Sequence, residues 1–216
     1  MQFAVIGLGK FGGTVARTLV KYNCEVLAID IDEKVVQEAS SEINHVICAD
    51  STDDKTLKAL ITSDFDGAII SIGQNFEASI LTLIILKEIG VKKVVVKAMS
   101  KTQAKILQKL GADKVVFPEV EVGKKLAHSL VNPGLHDFLE LSDEYGIAEI
   151  KPPKEIIGKS IKEAAVRNRY NINIIAIKSR KGNKEKWEVN PLPDRVISEN
   201  DKLVVIGKVE KIKNIF

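Results

Sequence analysis

Between Phe3 and Phe117 the chain keeps returning to one pattern, a short run rich in Val and Ile followed by a longer amphipathic stretch. The short runs are Phe3–Ile6, Glu25–Ile29, His45–Cys48, Gly67–Ile70, Lys93–Val96 and Lys114–Phe117. Runs that are apolar without strict alternation belong to strands buried on both faces. The stretches between them predict helices over Phe11–Lys21, Glu33–Ser41, Lys55–Ile61, Phe76–Ile89 and Lys101–Leu110. Gly90 and Gly111 stand where helix C-terminal caps belong. Regular strand–helix alternation imposes right-handed crossovers and therefore a parallel sheet covered on both sides. The fold class is α/β, a Rossmann-like doubly wound parallel sheet.

A further helix, Glu119–Val131, follows the sixth strand, and Asn132-Pro133-Gly134 then breaks the pattern. This places a first domain at 1–134, with its last helix as a crossover arm, and a second at 135–216. The second reads as a small α+β unit. Its expected strands are Asp137–Leu141, Ile147–Lys151, Asn173–Lys178, Trp187–Val189 and Lys202–Ile206, with a polar hairpin tip at Lys181–Lys186. Ser160-Ile161-Lys162-Glu163 is a capping-box signature that opens a helix expected to run to Asn168. A unit of about 80 residues buries only a small core, so dimerisation or docking is expected to support it.

The charge balance, 32 Lys and Arg against 29 Asp and Glu, gives a net charge of +3. That argues against nucleic-acid binding, which concentrates basic residues on one face. Cys24 and Cys48 lack CxxC spacing and are expected to be small buried hydrophobes in a reducing compartment. The most apolar run, Ala78–Leu86, ends at Lys87-Glu88 and falls well short of the roughly 20 residues of a bilayer span. Met1–Ile6 enters a strand directly, so no signal peptide is expected. These readings predict a cytoplasmic protein whose membrane association comes through a partner.

Gly7-Leu8-Gly9-Lys10-Phe11-Gly12 fits GxGxxG and lies where a strand gives way to a helix, the context that gives the motif meaning. Gly7 permits the tight turn, Gly9 lets a pyrophosphate approach the backbone, and Gly12 lets the helix pack on the sheet. The free N–H groups of the helix start then meet phosphate oxygens, with Lys10 and Phe11 inside the loop. Asp30 ends the second strand 23 positions after Gly7, where an acid accepts hydrogen bonds from ribose hydroxyls, with Ile31 beside it. An acid there disfavours a 2′-phosphate and hence NADP. Asp50 and Ser51 end the third strand and either face the adenine edge or serve a local turn. Ser71, Ile72 and Gly73 end the fourth strand and line the crevice through backbone. Lys97 follows the fifth and either reaches phosphate or is simply exposed. Adenosine and a pyrophosphate are common to NAD, ATP and ADP, and the motif serves all three.

Catalytic equipment is not visible. A dehydrogenase needs a proton donor or acceptor beside the nicotinamide. His45 starts a strand, away from the binding edge, while His128 lies in the helix after the sixth strand and His136 just after the Asn132-Pro133-Gly134 break; all three read as structural or surface residues. No HExxH, GxSxG, P-loop lysine or clustered metal-ligand pattern occurs. Two other classes share this fold, a small NAD-dependent oxidoreductase and a redox-sensing DNA-binding regulator. The first lacks its acid–base residue and the second its basic recognition helix.

The chain resembles the regulator-of-potassium-conductance (RCK, TrkA-like) family, in particular the regulatory subunits of Ktr-type potassium uptake systems. The likeness is carried by 3–13, 26–30, Ala78-Ser79, Leu86-Lys87-Glu88, Val96-Lys97-Ala98, Gly111-Ala112-Asp113-Lys114, Pro118-Glu119, Leu141-Ser142-Asp143-Glu144-Tyr145 and Ile175-Ala176-Ile177-Lys178. The resemblance implies a regulatory subunit without enzymatic activity, assembled as dimers in an octameric ring beneath an integral-membrane potassium pore. It implies competition of ATP and ADP for the crevice, with NAD or NADH bound in relatives. The basic residue of the glycine loop, here Lys10 where relatives carry arginine, then reaches the terminal phosphate of a nucleotide in the neighbouring subunit. Glu119 matches a glutamate that helps hold a divalent cation, magnesium or calcium. Some relatives bind cyclic di-AMP on the second domain, and the matching positions are Val166, Arg167, Asn173 and Ile174.

Overall fold

The computed structural model describes residues 1–131, 135–142, 144–181, 184–213 and 215. They form two compact units, Met1–Val120 and Glu121–Phe216. The Asn132-Pro133-Gly134 break, and with it the expected boundary at 134, lies outside the described residues, as do Asp143 and part of the expected hairpin tip. The two units part inside the sixth helix, so most of that helix groups with the second.

The first unit runs β1 (Gln2–Ile6), α1 (Lys10–Lys21), β2 (Glu25–Asp30), α2 (Glu33–Ala39), β3 (His45–Cys48), α3 (Asp54–Leu60), β4 (Gly67–Ile70), α4 (Phe76–Ile89), β5 (Val94–Lys97), α5 (Lys101–Lys109), β6 (Lys114–Val116) and the start of α6 (Pro118–Val131). Its sheet has the order β3-β2-β1-β4-β5-β6, with every pairing parallel. Successive side chains of β1 explain the two-sided burial. Ala4 and Ile6 enter one core with Leu57, Leu83, Leu86 and Leu107. Phe3 and Val5 enter the other with Ala16, Ala28 and Ile43. Each large aliphatic side chain so buried contributes roughly 1.5–3 kcal/mol. Gly90 (φ 88°) does cap α4 in the left-handed region.

Two aspartates pin strand starts. Asp66 accepts from the Gln2 N–H at 2.9 Å and pairs with Lys92 at 3.0 Å. Asp113 accepts from the Val94 N–H at 2.7 Å and pairs with Lys87 at 3.1 Å. Those backbone hydrogen bonds, and then the lysines, hold both carboxyls below the usual aspartate value.

The cysteines depart from expectation. Cys24 is half-buried and Cys48 is exposed. Cys48 is the last residue of β3, an edge strand, so nothing covers it, and its thiol points to the Ile31 carbonyl at 3.5 Å.

The second unit runs from the rest of α6 through β7 (Leu135–Glu140), β8 (Tyr145–Ile150), a 3₁₀ turn (Lys154–Ile156), α7 (Ile161–Ala164), α8 (Val166–Tyr170), β9 (Ile172–Lys181), β10 (Lys184–Val189), β11 (Lys202–Lys208) and α9 (Val209–Lys213). Its sheet is antiparallel, ordered β10-β9-β11-β8-β7. The capping box forms. Ser160 Oγ accepts from the Glu163 N–H at 3.2 Å, and Glu163 Oε2 accepts from the Ser160 N–H at 2.9 Å. The single helix expected to Asn168 does not form, because Ala165 turns left-handed (φ 45°) and splits it into α7 and α8. Ala164 and Val166 are both in the core. Two residues apart on one helix they would point about 200° from each other, so the reversal at Ala165 lets both face inward.

Candidate nucleotide site

In a sheet of this order the direction of winding reverses beside β1, and ligands settle outside the strand C-termini at that point. The glycine loop occupies that place. Gly7 leaves β1 with φ 87°, its N–H donating to the Ile29 carbonyl at 2.8 Å. A Cβ on Gly7 would lie 2.7 Å from the Ser71 carbonyl oxygen, and one on Gly12 would lie 1.9 Å from the Gly7 carbonyl oxygen. Gly9 differs, since nothing lies within 4 Å of a Cβ built there. Gly7 and Gly12 are thus needed by the fold, while Gly9 leaves open space over the helix start.

The termini of the helices sharpen that contrast. Asp32 caps α2, Asp53 caps α3, Asn75 caps α4 and Ser100 caps α5, each accepting from a first-turn N–H. α1 has Gly9 at its N-cap, with no side-chain cap and no acid in its first turn. Its leading N–H groups and positive dipole end are left for an anion.

Asp30 is tied into the same loop. One carboxylate oxygen accepts from the Leu8 N–H at 2.6 Å and the other from the Asp32 N–H at 3.0 Å. Each carboxylate oxygen accepts more than one hydrogen bond, so ribose hydroxyls can still be served. The GxGxxG spacing does not announce this clamp. Ile31 beside it is 70% exposed. Phe11 packs into the core shared by α1 and α2, anchoring the loop from behind. Lys10 is exposed on the first turn of α1.

The remaining strand ends divide between crevice and structure. Asp50 is exposed, and one of its oxygens accepts from both the N–H (2.9 Å) and the hydroxyl (2.7 Å) of Thr52. It therefore stabilises its own turn. Ser51 and Ser71 are buried, Ile72 is half-buried and Gly73 is exposed with open space around it. Lys97 and Glu119 form an ion pair at 2.5 Å with Lys97 only 11% exposed at its side chain. The Lys97 ammonium holds the Glu119 carboxyl below its ordinary value. Among the described residues no three His, Cys, Asp or Glu side chains converge to hold a metal ion, so Glu119 brings one carboxylate and no cage.

His45 is exposed at the start of β3. It lines a cleft of about 550 Å³ with Gln2, Glu25, Thr62 and Asp64, around strand N-termini and away from the glycine loop. The side chains of His128 and His136 lie outside the described residues. In the second unit Val166, one of the positions matching the cyclic di-AMP site of relatives, is a core residue at 4% exposure. Ile174 packs partly against that core, and Arg167 and Asn173 are exposed. No helix among the described residues is long and apolar enough to cross a membrane.

Comparison with known proteins agrees with this geometry. Residues 3–118 match the TrkA-N domain model and residues 147–216 the TrkA-C domain model. The chain is 43% identical over 211 residues to the Ktr system potassium uptake protein C of Bacillus subtilis, covering 98% of this chain and 94% of the relative. The structure of the GsuK RCK domain superposes with a TM-score of 0.53 at 22% identity, over 98% of this chain and 45% of that one. The GsuK channel bound to NAD gives a TM-score of 0.62 at 16% identity, over 97% of this chain and 38% of that one. At such identities these structures speak for the fold alone.

Proposed function

The chain belongs to the TrkA-N domain family and carries a TrkA-C domain behind it, and on that premise we propose that it is a nucleotide-sensing regulatory subunit of a Ktr-type potassium-uptake system. It works in the cytoplasm, beneath an integral-membrane pore subunit, and binds nucleotide without turning it over. The observation that carries this reading is the uncapped start of α1, with open space over Gly9 and Asp30 clamped to the Leu8 N–H beside it.

The adenosine ribose takes the free capacity of Asp30, and the α- and β-phosphates take the N–H groups of the α1 start. ATP adds a third phosphate, which meets Lys10 from the neighbouring subunit of an octameric ring. Ligands that make different contacts in two ring geometries shift the population between them. A divalent cation joins through Glu119 and the phosphate oxygens, which requires Glu119 to leave Lys97. NAD and NADH share the adenosine half and fit the same crevice. In the second unit cyclic di-AMP would take the exposed Arg167 and Asn173, with Ile174 beside its base.

A thermal-shift titration with ATP, ADP, NADH and cyclic di-AMP tests the reading. Stabilisation of about 2.7 kcal/mol at 100 times Kd by ATP and ADP, with no nucleotide consumed, is expected. A response to NADH alone, with turnover of a small carbonyl compound, would replace this reading with an oxidoreductase. Lys10→Ala should weaken ATP by about tenfold and spare ADP; equal loss of both removes Lys10 from its role.

A further inference from the structure

Among the described residues of the first unit, the buried polar side chains are four hydroxyls, Ser51, Ser71, Ser79 and Thr82. Two stand in the loops that follow β3 and β4, at the crevice, and two stand on α4. The hydroxyls of α4 reach those loops. Thr82 donates to the Ser51 carbonyl at 3.2 Å, and its oxygen lies 2.9 Å from Ser51 Oγ. The two hydroxyls and the Ser51 carbonyl thus form one buried hydrogen-bonded cluster, in which either hydroxyl can donate to the other. Ser79 Oγ lies 3.4 Å from the Ile72 carbonyl, sharing its proton with the Asn75 carbonyl at 3.2 Å.

A helix core is normally filled with apolar side chains, because a buried hydroxyl costs free energy unless its hydrogen bonds are made. Thr82 is fully buried and Ser79 is 2% exposed, in a helix otherwise packed through Ala78, Leu83, Ile85 and Leu86. A buried hydroxyl pair specifies one relative position of two elements where an aliphatic contact would tolerate sliding. The opposite side of α4 shows Leu81 and Ile84 to solvent at 41% and 36% exposure. α4 therefore has a polar attachment to the crevice on one side and an apolar surface on the other.

We propose that Thr82, through Ser51, is the positioning residue that couples occupancy of the crevice to α4. The inference rests on the nucleotide reading above and deepens it by naming the residue through which regulation leaves the site. Ligand against the loop that carries Asp50 and Ser51 fixes that loop, and the hydroxyl pair passes the constraint to α4. Ser79 and the Ile72 carbonyl provide a second, longer attachment that holds the helix start.

The test uses the full chain, with nucleotide affinity and amide hydrogen exchange across Phe76–Ile89 measured with and without ADP. In the wild-type protein ADP should slow exchange in α4 by about tenfold. Thr82→Val keeps the shape and removes the hydroxyl. It should bind ADP within about threefold of wild type while the α4 response falls below about twofold. Thr82→Ser restores a hydroxyl and should recover the response, which a purely packing role would not. Ser51→Ala, which leaves α4 untouched, should lose part of it and serves should Thr82→Val fold poorly. An unchanged α4 response in Thr82→Val, or no response in wild-type protein that does bind ADP, overturns the coupling and leaves the binding site standing. Wild-type protein that binds no adenine nucleotide removes the functional reading itself, and the coupling with it.

Discussion

At the scale of single residues, the three glycines of the loop are alike in sequence and different in physics. Gly12 lies inside α1, where alanine is ordinarily favoured by about 1 kcal/mol. Here its Cβ would meet the Gly7 carbonyl oxygen at 1.9 Å and the Ser71 Cβ at 2.9 Å. Backbone cannot retreat from such a contact cheaply, so Gly12→Ala should destabilise by about 3 kcal/mol and lower Tm by at least about 5 °C. Gly9 has φ −58° and open space, so Gly9→Ala should melt within about 0.5 kcal/mol of wild type. It should nevertheless lose most nucleotide affinity, because the new methyl group occupies the phosphate approach. Calorimetric melting and ADP titration on the two variants separate the roles. Normal ADP binding by Gly9→Ala would mean that phosphate does not lie against that backbone. The spacing of the loop was enough to read the tight turn at Gly7 and the close packing at Gly12. The partners that fix Asp30 and pair Lys97 with Glu119 were not legible, because they join positions 22 residues apart that only the fold brings together.

At the scale of elements, the first unit was legible because each buried strand is a contiguous apolar run and the stretches between them are long enough for helices and bounded by polar or capping residues. Predicted and observed bounds there agree within about two residues. The second unit was less legible where long-range packing overrides local pattern. The capping box at Ser160 was visible, but nothing local marks Ala165 as left-handed, since burial of both Ala164 and Val166 imposes that turn. An L-residue in this region costs roughly 1–2 kcal/mol, part of which glycine returns through a more flexible unfolded chain. Ala165→Gly should therefore raise stability by roughly 0.5–1 kcal/mol, measured by urea unfolding. A loss of stability would show that the alanine methyl group carries packing of its own. The aspartates at strand starts make a pH-dependent contribution. Asp113 has a folded pKa below the roughly 3.9 of a free aspartate. Its contribution is fully present above that unfolded value and disappears as pH falls through the folded one. Asp113→Asn should thus melt lower than wild type at pH 7, and the difference should narrow towards pH 3. A gap independent of pH would assign the effect to the lost shape of the carboxylate instead of its charge.

At the scale of the whole molecule, the chain shows solvent more apolar surface on its helices than a solitary subunit needs. Val122, Leu126 and Leu130 follow one another at four-residue spacing on α6, exposed by 58% to 71%. Residues four apart share a helix face, so these three form one stripe, and Leu81 and Ile84 add a smaller apolar surface on α4. Contiguous apolar surface of this kind marks association, and a second copy of the chain is the partner that the proposed ring requires. Burying a stripe on two symmetric copies doubles the area removed from water, at roughly 25 cal/mol per Å². Light scattering on the purified protein should accordingly give a mass that is a multiple of the 23.7 kDa chain. Leu126→Glu places a charge in the middle of the stripe and should reduce that mass while sparing folding, since the side chain is already 58% exposed in the single chain. The variant should still be stabilised by ADP, because Gly9 and Asp30 belong to the first unit, whereas its preference for ATP should fade if Lys10 acts only across a subunit boundary. A variant of reduced mass that still separates ATP from ADP as well as the assembled protein would place that discrimination within one chain. A wild-type protein of single-chain mass would leave the binding site intact and remove the ring.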